Sequence, residues 1–133
     1  GQKMRQSKCT VIEILQTEKA LRKQIMSMTT DSTALDAPKD WESCNCCAIY
    51  KLVASEAQRT EMKQNYEAGG YGYGHAKQAL FEVICDRFSE QRARYTYYMS
   101  NLEEVDQALA VGAKKAATVA DAVLARVREK IGY

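Results

Sequence analysis

The sequence lacks the features that direct a chain into or across a membrane. Its 133 residues contain no apolar run approaching the roughly 18 residues that a membrane-spanning helix needs. Residues 1–7 carry no apolar stretch of the kind found in secretory signal peptides. We therefore expect a cytoplasmic protein that does not associate with a membrane.

The sequence also has little excess of either charge, few histidines and no cysteine pattern that indicates disulfides. The formal net charge is only +2, which by itself does not indicate a nucleic-acid partner. There is one histidine, and the five cysteines cannot all pair as disulfides within one chain because their number is odd. Since no second cysteine pair with zinc-site spacing is present, we expect free thiols rather than a structural zinc site.

Proline occurs only once, at Pro38, and helix-forming residues dominate after residue 16. The only stretch with a strand-like pattern is short and covers residues 9–15. These patterns predict an all-α protein. We expect a helical bundle over residues 17–133, preceded by a basic, partly extended N-terminal arm over residues 1–16.

Local signals predict where several helices begin and end. Thr17 is a predicted N-cap, and capping-box spacings predict that further helices begin after Ser55 and after Asn101. Gly112 predicts a break within the last helical segment, and Gly132 predicts its end.

Two further helices are predicted from their apolar periodicity. Asp40 is a candidate cap for a helix whose apolar stripe contains Ile49, Leu52 and Val53. Residues 75–99 are predicted to form one long helix, with its apolar positions at helical spacing.

The segment from Gly69 to Gly74 contains four glycines and so permits close approach of its backbone to other groups. A phosphate-binding P-loop continues with Gly-Lys-Ser/Thr, and residues 76–78 do not match that pattern. We therefore expect this loop to pack against neighbouring helices rather than to bind a nucleotide. For His75 we expect a capping or packing role rather than metal ligation.

Several blocks of the sequence resemble one enzyme family. Lys3, Met4 and Ser7 resemble the ATP loop of class I aminoacyl-tRNA synthetases, whose signature is Lys-Met-Ser-Lys-Ser. Six further blocks resemble bacterial tryptophanyl-tRNA synthetases and occur in the same order as in that family. They are residues 21–27, 30–33, 38–40, 66–77, 111–116 and 131–132. Because several separate blocks match, the resemblance covers essentially the whole chain.

The resemblance implies that the chain corresponds to a C-terminal half, from the ATP loop to the chain end. In that family the helical domain recognises the tRNA anticodon, and the ATP loop stabilises the pyrophosphate leaving group. The nucleotide-binding half that holds tryptophan is absent from these residues. The implied partners are therefore tRNA and that missing half. The chain alone would have no catalytic activity and no cofactor, although the family uses ATP.

Some residues depart from the family pattern. These are Arg5 and Gln6 in the ATP loop, Lys8 and Cys9 after it, Trp41 in place of proline, Cys46 and Cys47 in place of an apolar pair, and Cys85 in place of leucine. An alternative hypothesis is therefore an engineered helical scaffold with a metal, thiol or small-ligand site near Trp41. In that scaffold Cys44 and Cys47, which share a helix face, would be metal ligands. The other explanation is that the cysteines act as small apolar residues.

The candidate nucleic-acid contacts are Arg87, Arg92, Arg94 and Tyr95, where cations and aromatic rings alternate. Such rings can stack on unpaired bases, but tyrosines in this segment could instead pack in the core. Residues 1–24 contain six basic and two acidic residues, so the arm either binds phosphate or is simply solvated. Apolar surface that would face the missing half predicts self-association.

Overall fold

The computed structural model describes residues 11–132, and this range contains six α-helices and no strand. The helices are α1 (Glu18–Met26), α2 (Asn45–Val53), α3 (Glu56–Ala68), α4 (Tyr73–Arg87), α5 (Ser89–Ser100) and α6 (Leu102–Ile131). The predicted all-α class is confirmed. Most of the predicted basic arm, including Lys3, Met4, Arg5, Gln6, Ser7, Lys8 and Cys9, lies outside the described residues.

The chain divides into two units, with the boundary between Arg92 and Ala93, inside α5. The first unit contains α1 to α4, and the second contains α6. The boundary predicted between residues 16 and 17 stays a prediction, because residues 1–10 are not described. None of the helices in the described range has both the length and the apolarity that a membrane crossing requires.

The core of the first unit is built around α4, which packs against α1 and α2. The fully buried side chains are Leu21 and Ile25 on α1, Cys46 and Cys47 on α2, Tyr66 on α3, and Ala76, Leu80 and Ile84 on α4. Each large apolar side chain buried in this way stabilises the fold by about 1.5–3 kcal/mol. The small Ala76 lets the neighbouring helices approach α4 closely.

Two predicted helix starts are confirmed by side-chain caps. The Thr17 hydroxyl accepts a hydrogen bond from the backbone N–H of Ala20, at 3.4 Å. Ser55 and Gln58 form a complete capping box at the start of α3. Both motifs satisfy N–H groups that a helix start leaves without a partner.

The predicted capping box at the start of α6 is wrong. Asn101 is the N-cap residue, but its side chain makes no capping hydrogen bond. The Asn101 amide instead donates to the Tyr97 carbonyl at 2.8 Å, and the Tyr97 hydroxyl donates to Glu104 at 2.6 Å. The nearby last turn of α5 therefore competes successfully for both side chains.

The predicted start of α2 at Asp40 is also wrong. Asp40 accepts a hydrogen bond from the Glu42 backbone N–H at 2.8 Å, within a turn, and α2 begins only at Asn45. Hydrogen bonds with Ser43 and Glu42 hold the pKa of Asp40 below its usual value.

The buried face of α2 contains Cys46, Cys47 and Tyr50, and not the predicted stripe. Leu52, which belonged to that stripe, is 77% exposed. Ile49 and Val53 are half-buried and lie at the edge of the core. The prediction missed this face because cysteine and tyrosine supply its apolar surface.

The structure also corrects two predictions about helix continuity. Residues 75–99 do not form one helix, because Phe88 leaves the helical conformation between α4 and α5 and packs its ring against the core. Gly112 does not break α6, and an added Cβ there would meet nothing within 4 Å. Gly132 ends α6 in the left-handed conformation, as predicted.

Candidate functional site

The loop before Trp41 and the glycine-rich loop after α3 pack together in the first unit. The backbone N–H of Gly70 donates to the Leu35 carbonyl at 3.1 Å, and that of Lys39 donates to the Tyr66 carbonyl at 2.9 Å. Gly69 has a φ of +78°, and a Cβ there would lie 2.5 Å from the Asp36 carbonyl oxygen. Close packing therefore accounts for this glycine, as predicted, but its partner is the loop before Trp41 rather than a neighbouring helix.

A buried lysine holds the first of these loops in place. Lys39 is only 4% exposed, and its ammonium group donates to the carbonyl oxygens of Ala34, Leu35 and Ala37 at 2.9–3.2 Å. The same group lies 5.5 Å from the centre of the Tyr73 ring. Sequence reasoning missed this role, because nothing in the pattern around Lys39 shows that its charge is buried.

A second lysine ties α4 to the end of α1. The Lys77 ammonium donates to the carbonyl oxygens of Met26 and Met28, at 3.1 and 2.6 Å. A cation at a helix C-terminus satisfies free carbonyl groups and interacts favourably with the helix dipole. Lys77 thus has a structural role. This agrees with the prediction that the glycine-rich loop before it is not a phosphate-binding P-loop.

A small cleft opens between the start of α2 and the loop before Trp41. Its volume is about 330 Å³, and it is lined by residues 29–31, residues 43–45 and Tyr73. The Tyr73 hydroxyl donates to Asp31 at 2.5 Å, which lowers the pKa of that carboxyl group. Burial and this hydrogen bond raise the pKa of Tyr73 to about 12. The cleft therefore presents one carboxylate and one thiol, that of Cys44.

All four described cysteines are free thiols, as predicted. Burial raises the pKa of Cys46 to about 12, and burial also raises the pKa values of Cys47 and Cys85. Among residues 11–132, no group of three or more histidine, cysteine, aspartate or glutamate side chains is placed to hold a metal ion. The metal site suggested at Cys44 and Cys47 therefore has no third ligand in the described part of the chain.

Trp41 is a core residue. It is 6% exposed and packs edge to face against Tyr50 and Tyr66, with ring centroids 6.5 and 5.9 Å apart. The Lys51 ammonium lies 5.0 Å from the centre of the indole ring and pairs with Glu42 at 2.6 Å. Trp41, Cys46 and Cys47 all belong to one buried cluster. Packing thus accounts for these departures from the family pattern without an engineered ligand site.

Two of the candidate nucleic-acid contacts lie in the first unit, where their guanidinium groups donate hydrogen bonds to backbone carbonyl groups. The Arg87 guanidinium donates to the Val53 carbonyl at 3.0 Å, and that of Arg92 donates to the Ile14 carbonyl. Arg92 therefore anchors the segment that precedes α1. Arg87 links the end of α4 to the end of α2.

The other two candidates lie in the second unit, where Arg94 and Tyr95 are exposed. Tyr97 and Tyr98 are exposed too, and their rings pack edge to face with centroids 5.5 Å apart. The alternative, that the tyrosines of this segment pack in the core, is therefore wrong for all three. None of the residues of α5 is buried.

The comparisons with known proteins agree on one group. The tryptophan–tRNA ligase of Campylobacter jejuni (strain RM1221) is 42% identical over 132 residues, and that of Rhodopirellula baltica is 39% identical over the same length. Each alignment covers 99% of this chain and 41% of the relative. No family model matches the chain.

Solved structures give the same result for the fold. The crystal structure of tryptophanyl-tRNA synthetase from Campylobacter jejuni matches with a TM-score of 0.93 and 41% identity, over 98% of this chain and 42% of that one. A second structure of that enzyme, complexed with ADP and tryptophan, matches equally well. The chain thus spans about two-fifths of the length of its relatives, and it corresponds to their C-terminal part.

Proposed function

We propose that this chain, which is homologous to the C-terminal part of tryptophan–tRNA ligases, is the portion of such an enzyme that binds the tRNA anticodon. The observation that carries the proposal is the similarity itself, which extends over 99% of the chain at 42% identity. A TM-score of 0.93 to a solved tryptophanyl-tRNA synthetase supports it further, because the two folds match over 98% of this chain.

The surface chemistry of α5 suits single-stranded RNA. Arg94 and Tyr95 are exposed neighbours, and Tyr97 and Tyr98 add further exposed rings on the same helix. Arginine binds phosphate, and aromatic rings stack on unpaired bases such as those of an anticodon loop. Arg87 and Arg92 also belong to the proposed contact set, in addition to their backbone contacts.

The activity of a whole ligase would need more than these residues. We propose that Lys3, Met4 and Ser7 are the remnant of the ATP loop and act beside the nucleotide-binding part of a complete enzyme. In the cytoplasm that enzyme would use ATP to attach tryptophan to its tRNA. Because the chain spans only about two-fifths of the length of the ligases that it resembles, we propose that it binds tRNA weakly by itself and does not form the adenylate alone.

Binding to a labelled anticodon stem-loop of tryptophan tRNA tests the proposal. We expect saturable binding that weakens steeply as the salt concentration rises, because each phosphate contact releases counterions. Arg94→Gln should weaken binding and lower the slope of log K against log salt concentration by about 0.7–0.9. Arg59→Gln on α3, which removes the same charge from an exposed position outside the proposed contact set, is the matched control. Equal affinity for a stem-loop with an unrelated anticodon would argue against anticodon recognition.

A further inference from the structure

Cys44 and Cys47 form a Cys-x-x-Cys pair at the beginning of a helix. Cys44 is the N-cap residue of α2, and Cys47 is the third residue of that helix. These two positions face each other, which is why a capping box links the same two positions in other helices. Both thiols interact with the Tyr66 hydroxyl, and Cys44 Sγ lies 3.5 Å from it.

The two thiols differ in their access to solvent. Cys47 is fully buried, whereas Cys44 is 8% exposed and lines the cleft between the start of α2 and the loop before Trp41. Of the two cysteines, only Cys44 lines the space that a small molecule in the cleft would occupy. This is the arrangement that a nucleophilic and a resolving cysteine require.

The position of Cys44 also suits attack by its sulfur. Cys44 is the N-cap residue of α2 and its side chain makes no capping hydrogen bond, so its sulfur is not held to the backbone of the first turn. A helix N-terminus favours negative charge near it, which suits a sulfur that must carry charge during thiol–disulfide exchange. Cys47 stays a neutral thiol until its partner has reacted, since burial raises its pKa.

We propose that Cys44 and Cys47 form a thiol–disulfide exchange site for low-molecular-weight disulfides. The Cys44 thiolate attacks one sulfur of the disulfide, so a mixed disulfide forms and one thiolate leaves. Cys47 then gives up its proton and attacks Cys44 Sγ, which expels the second thiolate. The two thiolates take up the two protons that the cysteines released. Overall, the protein dithiol is oxidised by two electrons and the small disulfide is reduced to two thiols.

Cys46 and Cys85 are thiols of the same chain that lack the features of the Cys44–Cys47 pair. Cys46 lies between the pair in sequence but is fully buried, and it is not among the residues that line the cleft. Cys85 is half-buried on α4. Neither of them occupies the N-cap position from which Cys44 reaches the cleft. An intramolecular disulfide should therefore form between Cys44 and Cys47, and not at Cys46 or Cys85.

The test uses the full chain, folded and reduced, with oxidised glutathione as the probe. Intact-mass analysis with peptide mapping should find the loss of two hydrogens and a link between Cys44 and Cys47. Cys47→Ala should instead accumulate one glutathionyl group on Cys44, because no resolving thiol remains. Cys44→Ala should lose both products, whereas Cys46→Ala should react like the unaltered chain.

Trp41 supplies an independent readout, since it is the only tryptophan and its ring lies 5.9 Å from that of Tyr66. Formation of the disulfide should change its fluorescence, and reduction should restore it. The proposal is overturned if Cys47→Ala stays unmodified at Cys44 while its circular dichroism remains native. It is equally overturned if the folded, unaltered chain forms no link between Cys44 and Cys47.

Discussion

The indole ring of Trp41 and the phenol ring of Tyr66 meet edge to face in the core of the first unit, with centroids 5.9 Å apart. Tyr66 extends this contact to Tyr71 and Tyr73, whose rings lie 5.8 and 6.1 Å away. This aromatic cluster joins the turn before α2 to α3 and to the glycine-rich loop. A residue that departs from the family pattern is therefore central to the packing.

Trp41→Ala should lower the free energy of unfolding by about 3–5 kcal/mol, because it leaves a cavity beside Tyr50 and Tyr66. Urea unfolding followed by circular dichroism measures this change without depending on the lost indole. Leu52→Ala is the control, and it should change stability by less than about 0.5 kcal/mol because Leu52 is 77% exposed. Equal effects of the two substitutions would contradict the assigned core.

Lys39→Met should lower the free energy of unfolding by about 1–3 kcal/mol, because the carbonyl groups of residues 34, 35 and 37 lose their buried donor. Hydrogen exchange in the loop before Trp41 should become faster. Lys63→Met is the matched control: its ammonium is exposed and makes only a 3.7 Å pair with Glu67. That control should cost at most a few tenths of a kcal/mol.

Two glycines should respond to alanine in opposite directions. Gly69→Ala should destabilise the protein, because its φ is +78° and the new Cβ would clash with the Asp36 carbonyl. Gly112→Ala should stabilise it by up to about 1 kcal/mol, since this position is inside α6 and nothing crowds it. Thermal unfolding of the two variants tests both signs, and a loss of stability in Gly112→Ala would contradict the continuous helix.

The Tyr73–Asp31 hydrogen bond should make stability depend on pH. This bond lowers the pKa of Asp31, so its stabilising effect is present above the unfolded value of 3.8 and is lost as the pH falls through the lower folded value. Tyr73→Phe should therefore be less stable than the unaltered chain at pH 7, and the difference should shrink in acid. Measuring Asp31→Asn and the double variant Asp31→Asn/Tyr73→Phe as well isolates the contribution of the pair to stability. If the stability difference between Tyr73→Phe and the unaltered chain does not change with pH, the hydrogen bond is not the source of the pH dependence.

Features that depend on neighbouring residues in the sequence were predictable. The Thr17 cap, the box formed by Ser55 and Gln58, and the left-handed Gly132 all follow from local backbone hydrogen bonding. The candidate site was only partly predictable. Cys44 and Cys47 were recognised as sharing a helix face, but their unequal access to a cleft depends on the loop that lies against α2.

By itself, the sequence determined that the protein is helical and where several of its helices begin or end. It also determined which family the chain resembles. Tertiary structure alone decided that Lys39 is buried, that Leu52 is exposed, and that Phe88 separates α4 from α5. The reason is physical: caps and glycine turns satisfy hydrogen bonds within a few residues. The choice of a buried face instead minimises the free energy of the whole core, to which distant segments contribute.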